Sequence, residues 1–342
     1  MRRVSLFVAA GLTLSVALGV AQPGPYKILK TAKVGGDGGF DYVYADSAGR
    51  RLYIARMGNP GRVTVFDLDT LEAAGEIPNV SAHGTAVDPK SHHGFATSKP
   101  VAMWDTKTLS LIKTIDVEGG PDGILFDAFN DHVYILSHRA PNATVIDSKT
   151  GAIAGTIDLG GAPEQAVADG KGRVYVDIED KGNIAVVDAK TMAVTAHYDL
   201  AGKGGTCAGL AMDVKNNILF AACRNPATMV ILNAANGSIL DTLPIGSGSD
   251  GAVFNPETME AFSSQGDGTL SIIKENSPTS FVVEQTVQTP PRAKTLTLDS
   301  KTGRILLITA EFGPPPAGAP QGGRGPRGQM IPGSFSIVVV GK

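Results

Sequence analysis

Six ionisable residues recur along this chain at nearly equal intervals: Asp41, His83, Asp122, Glu164, Asp250 and Lys294, with Ala208 in the corresponding place after Glu164. The spacings, by subtraction of residue numbers, are 42, 39, 42, 44, 42 and 44 residues. Each opens a mostly apolar stretch, where a charge is tolerated only if water or a partner reaches it. A second polar set closes the strand that follows: Arg56, Lys99, His138, Arg139, Glu179, Arg224, Gln265 and Glu311. Gathered in one place, four carboxylates and an imidazole would repel or hold protons unless something cationic sat among them. Three readings stay open. The residues are simply solvated; or they form a ligand-binding rim of Asp41, His83, Asp122, Glu164, Asp250 and Lys294 with Arg56, His138 and Arg224 around it; or His83 holds a divalent metal with Asp122, Glu164 or Asp250. Carboxylate oxygens suit calcium, and an added imidazole moves the preference toward zinc or manganese.

The elements that must position these residues are strands. Five residues after each ring position stands a turn anchor: Asp46, Asp88, Asp127, Asp169, Asp213, Asn255 and Asp299. Around each anchor the chain runs apolar strand, turn, strand with a central aromatic, third strand, then a segment into Gly or Pro. In the first repeat these are Tyr42–Ala45, Arg51–Ala55, Arg62–Phe66 and Leu71–Ile77. In the third they are Gly123–Phe126, Val133–Leu136, Thr144–Ile146 and Ala152–Leu159. A period of roughly 40–45 residues is that of a four-stranded propeller blade, and one blade cannot bury both its faces alone. The expected fold is all-β, a seven-bladed propeller. The last repeat, ending in Phe335–Val340, has no outermost strand of its own, and Ile28–Val34 is expected to supply it. Closure would remove two exposed sheet edges. The anchors read as turn formers. The aromatics Tyr53, Phe95, Tyr134, Tyr175, Phe220 and Phe262 read as packing between blades.

The run Gly172-Arg-Val-Tyr-Val176 followed by Ile-Ala-Val-Val-Asp188 resembles the YVTN-repeat, YncE-like propellers. The resemblance extends over essentially all of residues 22–342. It implies a seven-bladed propeller related to quinoprotein amine dehydrogenase heavy chains, and it implies little about chemistry, because propellers host many functions. Trp104 is the only tryptophan, whereas the quinone-cofactor propellers use a repeated tryptophan docking motif, so no cofactor is expected beyond a candidate metal.

Residues 1–21 read as a cleaved secretory signal: Arg2 and Arg3, an apolar run Val4–Val20, and small residues before Gln22. The expected location is periplasmic or secreted. Without Arg2 and Arg3 the formal charge goes from −3 to −5, and 6% aromatics with no basic stripe exclude a nucleic-acid surface. No other stretch approaches membrane-spanning length. Cys207 and Cys223 flank the turn centred on residue 215, which favours a disulfide across one hairpin in an oxidising compartment. The alternative is a thiol pair acting in redox or metal chemistry. The Gly/Pro-rich segment 313–333 reads as a flexible insertion. Gly246-x-Gly248-x-x-Gly251 and Gly323-x-Gly325-x-x-Gly328 match a dinucleotide pattern without the helix it requires. The functional expectation is an exported binding or scaffold propeller that engages a small ligand or protein partner at its channel mouth, without catalysis of its own. The alternative is a metal-dependent hydrolase or lactonase using the mouth carboxylates and His83.

Overall fold

A computed structural model of the protein describes residues 24–140, 142–314 and 328–342. The signal segment 1–21 and much of the 313–333 insertion lie outside the described residues.

Seven antiparallel sheets of four strands each form the molecule, a seven-bladed β-propeller. The innermost strands, in blades 1 to 7, are Gly39–Asp46, Thr85–Asp88, Pro121–Asp127, Pro163–Ala168, Cys207–Asp213, Ser249–Asn255 and Leu296–Asp299. Contacts between successive innermost strands run around the ring and close from blade 7 onto blade 1. Strand Lys27–Lys33 lies antiparallel against Ser336–Gly341 and completes blade 7. Gln285 of blade 6 fixes the approach to that strand by bonding both backbone groups of Tyr26, at 3.0 and 2.7 Å.

Turn chemistry is what the anchors do. Carboxylate or amide oxygens of Asp88, Asp127, Asp169, Asp213, Asn255 and Asp299 accept the backbone N–H two residues on, at 2.7–3.2 Å, and Asp46 accepts from Gly49. Between blades the six central aromatics are buried to 1% exposure or less. Each apolar cluster joins two neighbouring blades, so the core is a ring of interfaces rather than one centre. A disulfide joins Cys207 and Cys223, which face each other on adjacent strands of blade 5. Both are buried at its interface with blade 4.

The turns fold against the next blade: His93 and His132 are half-buried, and His93 Nδ1 lies 2.9 Å from the Ser148 carbonyl. The ends of the 313–333 insertion are fixed. Phe312 bridges Met330, Ile331 N–H donates to Glu311, and both apolar side chains pack on the blade 1/7 core. Gly246–Gly251 leads into a strand.

Candidate functional site

The innermost strands carry a repeated irregularity where the ionisable positions stand. In blades 1, 3, 4, 5 and 6 the register slips by one residue at Phe40/Val43, Pro121/Ile124, Pro163/Ala166, Cys207/Gly209 and Ser249/Ala252. Each slip encloses the ring residue of its blade: Asp41, Asp122, Glu164, Ala208 or Asp250. A bulge leaves one residue unpaired and turns its side chain away from the pleat. In blades 2 and 7 the paired strand begins only after His83 and Lys294, which leaves them similarly free to turn. Hydroxyls from the neighbouring blade hold the ring backbone: Thr295 donates to the Asp41 carbonyl, Thr97 to that of Asp122 and Ser264 to that of Lys294, at 2.6–2.7 Å.

The result is a continuous chain of charged contacts. Lys294 Nζ lies 3.3 Å from Asp41 Oδ1, and Asp41 Oδ2 lies 3.1 Å from His83 Nδ1. The same His83 nitrogen is 3.2 Å from Asp122 Oδ1. Asp122 Oδ2 faces His138 Nε2 at 3.4 Å, and that nitrogen is 3.6 Å from Glu164 Oε1. On the other side Arg224 contacts Glu179 at 3.2 Å and also binds Asp250, whose second oxygen binds Lys294. Arg224 Nε donates to the Ser249 carbonyl as well.

The mouth therefore brings together Asp41, His83, Asp122, Glu164, Asp250 and Lys294, and adds His138 and Arg224 from the second polar set. Arg56 is a correction. It is 1% exposed, stacks 3.7 Å over the Phe335 ring and donates to the Asp37 carbonyl, so it sits under the 35–38 loop between blades 1 and 7. Burial pulls its pKa down to about 10. Asp250 is also placed differently from a metal ligand, because Arg224 and Lys294 occupy its two oxygens.

Two residues outside the sequence-derived set shape the site. Tyr42 Oη donates to Glu164 Oε2 at 3.0 Å, from blade 1 to blade 4. Gln165 reaches from blade 4 to the backbone of Leu210 in blade 5 and of Ala252 in blade 6. Both follow a ring residue directly. In four other blades that next position is Gly84, Gly123, Gly209 or Gly251. A Cβ on Gly123 would stand 2.7 Å from the Glu164 carbonyl, so only glycine allows blade 4 so close.

Charge is shifted accordingly. The hydrogen bond that His83 donates to Asp41 raises the imidazole's pKa despite burial. Burial opposes ionisation of Asp41, but His83 and Lys294 outweigh it and lower its pKa. Asp122 is raised, mainly by burial, with Asp41 adding to it and the histidines opposing. Burial, then the hydrogen bond to Glu179 and its charge, push Glu164 up to about 9. Burial and the three nearby carboxylates raise Tyr42 well above the phenol range. Two groups meet the distance requirement for a shared cation, with all ligand atoms within 4.8 Å of one another: Asp41, His83 and Asp122, and Asp122, His138 and Glu164.

The fold is shared with solved structures. One, titled "Crystal Structure of Mitotic Checkpoint Complex", aligns with a TM-score of 0.66 over 90% of this chain and 95% of that chain. The identity is 12%, so the likeness shows the fold alone. No family model and no curated protein matches the chain. Among the described residues no helix is long and apolar enough to cross a membrane.

Proposed function

We propose that this chain is an exported propeller of the YVTN-repeat, YncE-like kind, whose channel mouth binds a ligand or protein partner without catalysis of its own. The observation that carries the reading is the arc Asp41–His83–Asp122–His138–Glu164. Four blades contribute to it, and its imidazoles keep 40% and 39% of their side-chain surface open to solvent. Polar groups that converge from several elements of a rigid scaffold are what fixes a ligand's orientation in a recognition site. The similar solved structure is named for a complex, which agrees with a partner-binding role. The signal-like residues 1–21 support export to the periplasm or beyond.

The test is capture of partners from an envelope extract with wild-type protein, a His83→Ala/His138→Ala variant, and Leu111→Ser on an exposed outer strand. The reading predicts loss in the mouth variant alone. Unchanged capture by the mouth variant, or loss only on the outer strand, refutes it.

A second reading, a metal-dependent hydrolase of lactonase type, is favoured by the two candidate ligand groups. A cation there would activate water, and a mouth carboxylate would act as base. That reading predicts hydrolysis that disappears in Asp122→Ala while the melting transition persists.

A further inference from the structure

The three carboxylates of the arc share their oxygens in an ordered way. Asp41 gives Oδ1 to Lys294 and Oδ2 to His83. Glu164 gives Oε2 to Tyr42 and Oε1 to His138. Asp122, between them, gives Oδ1 to His83 and Oδ2 to His138. The outer carboxylates are thus each held through one oxygen by a fixed neighbour, with Glu179 also hydrogen-bonded to Glu164, and each turns its other oxygen to an imidazole. The middle one presents both.

This is the donor pattern of a carboxylate-bridged pair of cations. We infer that the mouth binds two divalent metal ions bridged by Asp122, one completed by Asp41 and His83 and the other by His138 and Glu164. The inference rests on the mouth being the binding site, and it names the ligand.

Spacing is the first argument. With metal–ligand bonds of ~2.0–2.1 Å, neighbouring ligand atoms stand ~2.9–3.4 Å apart, from octahedral to tetrahedral geometry. The imidazole–carboxylate separations here are 3.1, 3.2, 3.4 and 3.6 Å, within a few tenths of an ångström of that range, and the three donor atoms of each set lie within 4.8 Å of one another. A second observation is independent of spacing. Asp122 Oδ1 is sealed from solvent and makes no hydrogen bond of acceptable geometry, although His83 is close by. A buried carboxylate oxygen left so is costly, and a cation placed between it, His83 and Asp41 would satisfy it. The support is of the kind that orients metal ligands: Tyr42 on Glu164, Lys294 on Asp41, and Thr97 on the Asp122 backbone. Each ion would have three protein ligands, which leaves positions for water or an incoming ligand. One imidazole and two carboxylate oxygens per ion favour zinc or manganese over calcium.

The test titrates the full chain, freed of metal by chelator, with Zn²⁺ in a calorimeter. Wild type should bind two equivalents. Asp41→Asn or His83→Ala should keep one, as should His138→Ala or Glu164→Gln. Asp122→Asn should weaken both by at least tenfold. One equivalent or none in wild type overturns the pair, and unweakened two-site binding by Asp122→Asn overturns the bridge. If that variant does not fold, electron paramagnetic resonance of the Mn²⁺-loaded wild type decides. A spin-coupled spectrum supports the bridge, and isolated-ion signals refute it. Partner capture is scored separately, so absence of metal alongside mouth-dependent capture removes the cations and leaves the binding reading standing.

Discussion

The two arcs of the mouth grow from the same strand position but handle charge in opposite ways. From Glu179 through Arg224, Asp250 and Lys294, each carboxylate meets a guanidinium or ammonium group, and the charge is closed internally. From Asp41 through Glu164, every carboxylate faces an imidazole, which can ligate a metal, and the one ammonium group, Lys294, stands at the Asp41 end. Side-chain length accounts for part of the difference. Arg224 extends from the second strand of blade 5, where the ring position is Ala208, and so enters the space that Ala208 leaves. One arc closes its charge on itself, and the other is the proposed binding site.

Substitutions in the two arcs should therefore separate stability from binding. Arg224→Ala leaves Glu179 without this guanidinium and Asp250 with Lys294 alone. Removing one member of a largely buried ion pair costs about 3–5 kcal/mol; partial exposure reduces the expected loss to roughly 2–4 kcal/mol in urea unfolding, with Zn²⁺ affinity nearly unchanged. His83→Ala should do the reverse, costing within about 1 kcal/mol because the pairs it breaks are partly exposed, while one cation site is lost.

A position one strand over sharpens the contrast. Asp177 is fully buried, and neither of its oxygens has a hydrogen bond; desolvation raises its pKa well above the carboxylate range. The same position in blades 2 and 6 holds Thr97 and Ser264, whose hydroxyls donate to the Asp122 and Lys294 carbonyls. Asp177→Thr should stabilise the protein by about 1–3 kcal/mol by removing an unsatisfied buried group, without altering binding in the open arc.

The pH dependence follows from the open arc in chelator-treated protein. Glu164, at about 9 in the folded state against 4.5 for the free carboxyl, holds a proton that the unfolded chain has released, so stability falls as pH rises between those values. His83, whose pKa is raised, contributes stability that is present below its unfolded pKa and lost as pH climbs through its folded one. Asp41, lowered, contributes above its unfolded pKa and loses it only as pH falls through the folded value. The melting temperature should thus decline from about pH 5.5 to pH 9, and Glu164→Gln should flatten that decline. The smallest effect is expected for Tyr42→Phe, about 0.5–1.5 kcal/mol for one hydrogen bond, together with weaker Zn²⁺ binding at the His138–Glu164 end.

Much of this was legible beforehand, because repetition turns a residue number into a position in space. The anchors gave the blades, and counting back from them gave six ring residues that do meet at one mouth. Arg56 misled for a physical reason: it ends its strand like Arg224, but Phe335 and the 35–38 loop offered an interface to bury it. Asp250 misled because no pattern in the sequence tells which of several nearby cations will take its oxygens. Tyr42 and Gln165 had a signal that counting ring residues alone passes over. They replace a residue that is glycine in four other blades, and a long side chain there must cross the channel.

The most direct measurement is anomalous diffraction from crystals of the full chain soaked in Mn²⁺. Two peaks flanking the Asp122 carboxylate, one beside His83 and one beside His138, with none near Arg224, are the predicted result. A mouth without anomalous density, or a single peak at Asp250, would contradict the division of the ring into a closed arc and a binding arc.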